Sequence, residues 1–319
     1  MQRSIPLVCL TLLWAAIPAL AQNSASNYLN RGNERLAKHN FTGAIEDFTA
    51  AIAFNPDFAE AYYDRGNALL AKGEFDAAIA DFDRAIALAI KFVKAYYNRG
   101  YARYQKALHD SAQIPAALCD FDKVIALNPR DEAAYVIRAY LHGLHQDWEA
   151  AIADCSRLIA LNPRNANAYN NRGAMRVGRG DWDGAIADAD RAIAINPHFA
   201  EAYVTRGAAQ YGRNDFVETI TDCTRALSLN PELASAFYFR GNARLITGRV
   251  EAALADFNEA IRINPAWASA YATRGLLYWL NGKQAEAEKD FDKCLELDAS
   301  LRPQIEASLR EAKQSLARK

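Results

Sequence analysis

The sequence predicts an all-α fold: a solenoid of eight helical hairpins closed by a C-terminal capping helix. Three observations predict it. The block at residues 234–267, ASAFYFRGNARLITGRVEAALADFNEAIRINPAW, returns along the 319-residue chain with a period of 34. Inside each block, apolar and small residues keep helical spacing on either side of a break, as at Thr247-Gly248. An Asn-Pro step such as Asn264-Pro265 then stops the second helix, because proline drives the residue before it out of the helical region.

The first residues do not belong to the repeat. Met1–Arg3 carries one positive charge, Ile5–Ile17 is apolar, and Ala19-Leu20-Ala21 supplies small residues ahead of Gln22. That order is the pattern of a secretory signal, so residues 1–21 are expected to be removed, with an uncleaved anchor as the competing reading. Cys9 sits inside the apolar run, which argues against lipoprotein cleavage. Residues 22–24 form a short N-terminal tail. The formal net charge of −1 becomes −2 once Arg3 is lost, and carries no electrostatic footprint for nucleic acid or anionic lipid. A hydrophobic content of 51% argues against disorder.

The units fall at 25–58, 59–92, 93–131, 132–165, 166–199, 200–233, 234–267 and 268–301. Only the third is longer, by five residues placed in Ala107–Pro115 at its inner turn, where loop-closure entropy makes an insertion cheap. An aromatic stands fourth in every unit: Tyr28, Tyr62, Tyr96, Tyr135, Tyr169, Tyr203, Phe237 and Tyr271. Four residues later comes Gly, or Ala139 in the fourth unit, and Ala recurs on the second helix from Ala44 to Ala287, with Thr219 the exception. Small residues on facing helices let the backbones approach closely while the aromatic fills the open end. After the last unit, Pro303 followed by Ile305, Leu309 and Leu316 among charged residues predicts an amphipathic helix over 302–319. It covers the apolar face that a terminal repeat would otherwise expose.

The 34-residue period, the aromatic–x3–Gly pair, the Ala twelve places after that Gly and the closing Pro resemble the tetratricopeptide repeat over 25–301. The resemblance implies a right-handed superhelix whose first helices line a concave, partner-binding groove. The chain departs from the family pattern in two ways. Ile90 and Ala299 replace the closing Pro, and Arg precedes the Gly, or Ala139 in the fourth unit, in all eight units. The missing Pro at Ile90 suggests a helix that runs on, or a looser joint between the second and third units. Pentatricopeptide and Sel1-like repeats fit less well: both are disfavoured by the strict period, and the first also by the lack of basic groove residues.

Arg31, Arg65, Arg99, Arg138, Arg172, Arg206, Arg240 and Arg274 each have a mate in Asp47, Asp81, Asp120, Asp154, Asp188, Asp222, Asp256 and Asp290. In a hairpin turning near its sixteenth residue these two places stand at one height, within reach of a bidentate guanidinium–carboxylate pair. An ion pair present in every unit is part of the fold rather than an acidic-ligand site. Cys119, Cys155, Cys223 and Cys294 all lie on second helices, and the repeat frame places them in the core as free thiols. His142 and His145, with Asp147 nearby, lack the second cluster a metal site needs. Asn40-Phe41-Thr42 is a glycosylation acceptor only in a eukaryotic host. No phosphate loop, nucleophile elbow or catalytic carboxylate pair stands outside the repeat.

What remains is the outward face of the first helices. Reading places two, five, six, nine, twelve and thirteen gives a stripe of Tyr and Asn, with sparse charge at Glu60, Lys94 and Glu201. Asn can donate to and accept from a peptide backbone, and Tyr gives contact area at low entropic cost. The expected partner-binding residues are Tyr63, Asn67, Tyr97, Asn98, Tyr101, Tyr140, Asn170, Asn171 and Tyr238. The family's basic carboxylate clamp is not matched. The sequence therefore reads as an exported scaffold, periplasmic or secreted, that binds a protein or peptide partner. It is read as non-catalytic, with no cofactor, no metal and no nucleic acid. The alternative readings are a dedicated accessory or assembly subunit of an envelope complex or exported enzyme, and an enzyme with a site on the inserted loop.

Overall fold

A computed structural model of the chain describes residues 7–89 and 91–317. Residues 1–6 of the expected signal, Ile90, and the last two residues of the expected cap lie outside the described residues. The described residues hold seventeen α-helices, two short 3-10 turns and no strand: an all-α helical-repeat solenoid. They fall into two compact units, Met1–Asp154 and Cys155–Lys319.

The first unit contains α1 (Leu7–Ala37), α2 (Phe41–Phe54), α3 (Ala59–Ala71), α4 (Phe75–Leu88), α5 (Val93–Ala107), α6 (Ile114–Leu127), α7 (Glu132–Leu144) and the start of α8 (Trp148–Leu161). Here α1 packs on α2, α3 on α4 and α5 on α6, while the first helices α1, α3, α5 and α7 touch in succession. The second unit contains the rest of α8, then α9 (Ala166–Arg179), α10 (Trp182–Ile195), α11 (Ala200–Gly212), α12 (Phe216–Leu229), α13 (Ala234–Ile246), α14 (Val250–Ile263), α15 (Ala268–Leu280), α16 (Gln284–Leu297) and α17 (Arg302–Ala317). Helices α9, α11 and α13 touch in succession, and α17 lies on α15. α1 runs unbroken from Leu7 through residues 22–24 into the first hairpin. Among the described residues no helix is long and apolar enough to cross a membrane.

Local chemistry sets the ends of the helices. The fifteenth place of seven hairpins is left-handed: Gly73, Gly180, Gly248 and Gly282 take it, but so do His39, Gln146 and Asn214. The third hairpin turns instead through its insertion. Asp110 accepts from the Ala112 amide at 3.1 Å and from the Gln113 side chain at 3.1 Å, which orders a 3-10 turn at Ser111–Gln113. At the second-helix stops, an Asn side chain accepts from the amide two residues on: Asp57 N to Asn55, His198 N to Asn196 and Ala266 N to Asn264, at 3.1–3.2 Å. This Asx turn spans the intervening proline. The joint that lacks proline still stops. α4 ends at Leu88 and Ala89 leaves helical backbone (φ −139°, ψ 82°), so the run-on helix, one of the two expectations from the missing Pro, does not form.

Gly and Phe meet at the hairpin centre. A Cβ on Gly66 would stand 2.7 Å from the Phe82 ring, and one on Gly275 would stand 2.9 Å from Phe291. The ring is thus seated directly on the opposing backbone, and Phe48, Phe82, Phe121 and Phe257 are fully buried. Cys223 takes the ring's place opposite Gly207, with its Sγ 3.0 Å from that imagined Cβ. Cys155, Cys223 and Cys294 are buried as the frame requires, but Cys119 is exposed. It precedes Asp120 in the helix, and the inward turn of that carboxylate swings its neighbour about 100° outward.

The Arg/Asp pair forms in all eight hairpins, for example Arg65 Nε to Asp81 at 2.8 Å and Arg274 Nε to Asp290 at 2.7 Å. Each guanidinium also lies over the fourth-place aromatic of its own helix, 4.8–5.7 Å from the ring centre. Two further bonds extend the ladder. From the second hairpin on, the arginine's Nη1 reaches back sixteen residues to the preceding second helix, where it meets Thr49, Asp83, Asp122, Ser156, Asp190, Thr224 and Asn258 in turn. In alternate hairpins a second arginine, Arg35, Arg103, Arg176 or Arg244, bonds the same buried aspartate. The ladder therefore ties hairpin to hairpin as well as helix to helix.

Candidate functional site: the first-helix face

Within the first unit, the outward face of α3, α5 and α7 carries two distinct groups. The first is polar. Asn98 on α5 donates to the Tyr63 hydroxyl at 3.1 Å and to Asn67 Oδ1 at 2.6 Å, both on α3. Tyr63 in turn packs on Phe92 with ring centres 4.7 Å apart. Both hydrogen bonds carried by the Asn98 amide are thus committed to side chains of the neighbouring hairpin.

The second group is apolar. Tyr101 and Tyr104 pack side by side at 5.8 Å, and Tyr104 meets Tyr140 of α7 edge to face at 5.8 Å. Tyr97 packs edge-on against the buried Phe121. Along α7, Val136, Tyr140 and Leu144 follow at four-residue spacing and are 41%, 44% and 41% exposed. Leu108 at the end of α5, 43% exposed, continues the line of Tyr97, Tyr101 and Tyr104. Burial holds the Tyr97 and Tyr104 hydroxyls above the ordinary tyrosine value.

Asp64 stands on the same face of α3, half-buried. Burial pushes its carboxyl above the ordinary value and the Glu60 charge adds to this, against a hydrogen bond from Asn33 and the charge of Lys94. Sequence reasoning named Glu60 and Lys94 and missed Asp64, Tyr104, Leu108, Val136 and Leu144. Tyr104 occupies the twelfth place, Val136 the fifth and Leu144 the thirteenth, all counted as outward, so the signal was present.

In the second unit the expected residues are spread over α9 and α13. Asn170 accepts from the Thr205 hydroxyl at 2.8 Å, and Asn171 is half-buried. Tyr238 packs on Trp267 with ring centres 4.6 Å apart. It borders a cavity of about 120 Å³ whose walls include Thr273, Leu276, Phe291, Ile305 and Ser308, beneath α17. Among the described residues no group of three or more His, Cys, Asp or Glu is placed to hold a metal ion. His142 Nδ1 lies 3.6 Å from the Asp147 carboxylate, and His145 is exposed.

Family models described as tetratricopeptide repeat match residues 29–91, 144–210 and 268–301, and one described as TPR repeat matches 241–282. No curated protein matches the sequence. A tetratricopeptide-repeat protein from Parabacteroides merdae ATCC 43184 has a similar structure: TM-score 0.63 at 16% identity, covering 86% of this chain and 99% of that one. Yeast Tom70 superposes with TM-score 0.61 at 17% identity over 93% of this chain and 65% of its own. YrrB, described as a TPR protein with an unusual peptide-binding site, gives TM-score 0.50 at 21% identity over 59% of this chain and 95% of its own.

Proposed function

The chain belongs to the tetratricopeptide-repeat family, and from that premise we propose that it is an exported, non-catalytic interaction scaffold that holds a segment of a protein partner against its first helices. Proteins of this family bind protein partners, and YrrB, a relative in fold, is described by its peptide-binding site. The observation that carries the reading is the exposed line Val136–Tyr140–Leu144 beside Tyr101 and Tyr104. Large apolar side chains grouped on one polar-rimmed face mark interaction sites, whereas scattered ones do not. The amino-terminal segment, with its charge, apolar run and small residues in the order of a secretory signal, is what supports the export part of this reading.

Photo-crosslinkers at Tyr140 and Leu144, compared with Lys123 and Arg191 on second helices, test the reading in the compartment where the protein accumulates. Crosslinks from the first pair alone support it. Tyr140→Ala should weaken capture of the same partner by about tenfold, as an aromatic anchor does, at unchanged helicity. Crosslinks confined to Lys123 and Arg191 would move the binding face to the second helices.

A further inference from the structure

The first-helix face of the first unit changes chemistry in one direction. At the sixth place it runs Asn30, Asp64, Asn98, Ile137, and at the ninth Asn33, Asn67, Tyr101, Tyr140, from α1 to α7. The α1–α3 end offers amides and two carboxylates one helical turn apart, Glu60 and Asp64. The α5–α7 end offers Tyr101, Tyr104, Leu108, Val136, Tyr140 and Leu144, four of them more than 40% exposed.

Resting on the scaffold reading above, we propose that this face takes an extended segment in one orientation, with a basic side chain over Asp64 and apolar side chains over Tyr104 and Tyr140. Charge complementarity selects the occupant. Asp64 is desolvated, and its bonded neighbour Asn33 is neutral. Glu60 crowds it with like charge, against the Asn33 hydrogen bond and the charge of Lys94. A lysine or arginine arriving there restores the balance, whereas an acidic side chain adds a third like charge. At the other end the neutral tyrosines and aliphatic chains leave a charged residue with no partner. The two ends are two hairpins apart. At about 10 Å per hairpin that is roughly 20 Å, or about six residues of extended chain. The segment therefore carries its basic residue about three positions from the apolar side chain over Tyr104 and about six from the one over Tyr140, and Asp64 determines its polarity.

The probe is a labelled synthetic peptide with one lysine, five Gly/Ser spacers and a Leu-Phe pair, beside analogues with glutamate or norleucine in place of the lysine. Fluorescence anisotropy on the full chain should show the lysine peptide binding about tenfold more tightly than either analogue. Asp64→Asn should erase that preference while leaving the norleucine peptide unchanged, and Asp64→Lys should transfer the preference to the glutamate peptide. Circular dichroism verifies that both variants stay folded. Equal binding of all three peptides overturns the role of Asp64. If Tyr140→Ala still weakens every peptide in that case, the scaffold reading stands without it. If Tyr140→Ala changes nothing, or no peptide binds at millimolar concentration, both fail.

Discussion

Arg206 bonds Asp190 of the preceding hairpin at 2.6 Å while its Nε and Nη2 hold Asp222 of its own at 2.7 Å. Asp222 is 5% exposed, and the eleventh place of this hairpin is Gln210, not arginine. The equivalent aspartate in the preceding hairpin, Asp188, is bonded by both Arg172 and Arg176. Removing one member of a buried pair leaves an uncompensated charge, so Arg206→Ala should cost about 3 kcal/mol or more. Arg172→Ala should cost about half as much, because Arg176 stays. Denaturant unfolding of both variants and of Asp222→Ala and Asp188→Ala, with the two Arg/Asp double mutants closing the cycles, reads the difference. Adding Gln210→Arg to Arg206→Ala should recover part of the loss. Equal costs at the two sites would show that the second arginine contributes nothing.

The central glycines should tolerate alanine unequally. In Gly66→Ala the new methyl would stand 2.7 Å from the buried Phe82 ring, and overpacking of that kind costs about 1–3 kcal/mol. In Gly173→Ala the nearest atom is the Thr205 methyl at 3.1 Å, followed by the Ala185 carbonyl at 3.3 Å. Alanine gains about 1 kcal/mol over glycine inside a helix, enough to offset contact with a methyl that can shift. Thermal melts should therefore show Gly66→Ala clearly destabilised and Gly173→Ala near neutral. A loss at Gly173 as large as at Gly66 would mean the ring is not the cause.

The hairpins and the Arg/Asp rungs were legible because helical geometry fixes which places face each other, and eight copies repeat the same answer. Other features were hidden by that repetition. The second arginine recurs only in alternate hairpins, at Arg35, Arg103, Arg176 and Arg244, and a 34-residue frame averages it away. Gln146 takes left-handed backbone that its side chain does not announce, whereas His39 and Asn214 are of types enriched there. Exposure itself is a three-dimensional property. Cys119 shares a helix with inward residues and points out, and the α7 stripe emerges only when the neighbouring helices are in place.

Thiol reactivity should separate the cysteines. Cys119 is exposed, while Cys155, Cys223 and Cys294 are buried, and burial pushes the Cys223 thiol up to about 12. Thiolate is the reacting species, so a buried, desolvated thiol is slow on both counts. The folded, unreduced protein should label once quickly. After unfolding it should label four times if the chain begins at Gln22, or five times if Cys9 is retained, so the same count reports whether the leader is removed. A folded count of zero would place Cys119 in an interface or a disulfide.

Asp64 should oppose folding at neutral pH. Its carboxyl is held above the ordinary value near 4, chiefly by burial. A group shifted this way contributes stability that is complete below its unfolded pKa and is lost as pH rises through its folded pKa. Above both values the chain must bury an ionised carboxylate that only Asn33 and Lys94 relieve. Asp64→Asn removes the charge and keeps a side chain that can bond Asn33. The variant should therefore melt at higher temperature than the parent at pH 7, and the gap should close as pH falls below about 4. A destabilising carboxylate on an outward face is what a site reserved for a cation would carry. If the parent melts higher at pH 7, or the difference does not change with pH, Asp64 is compensated within the chain and no cation is needed to balance it.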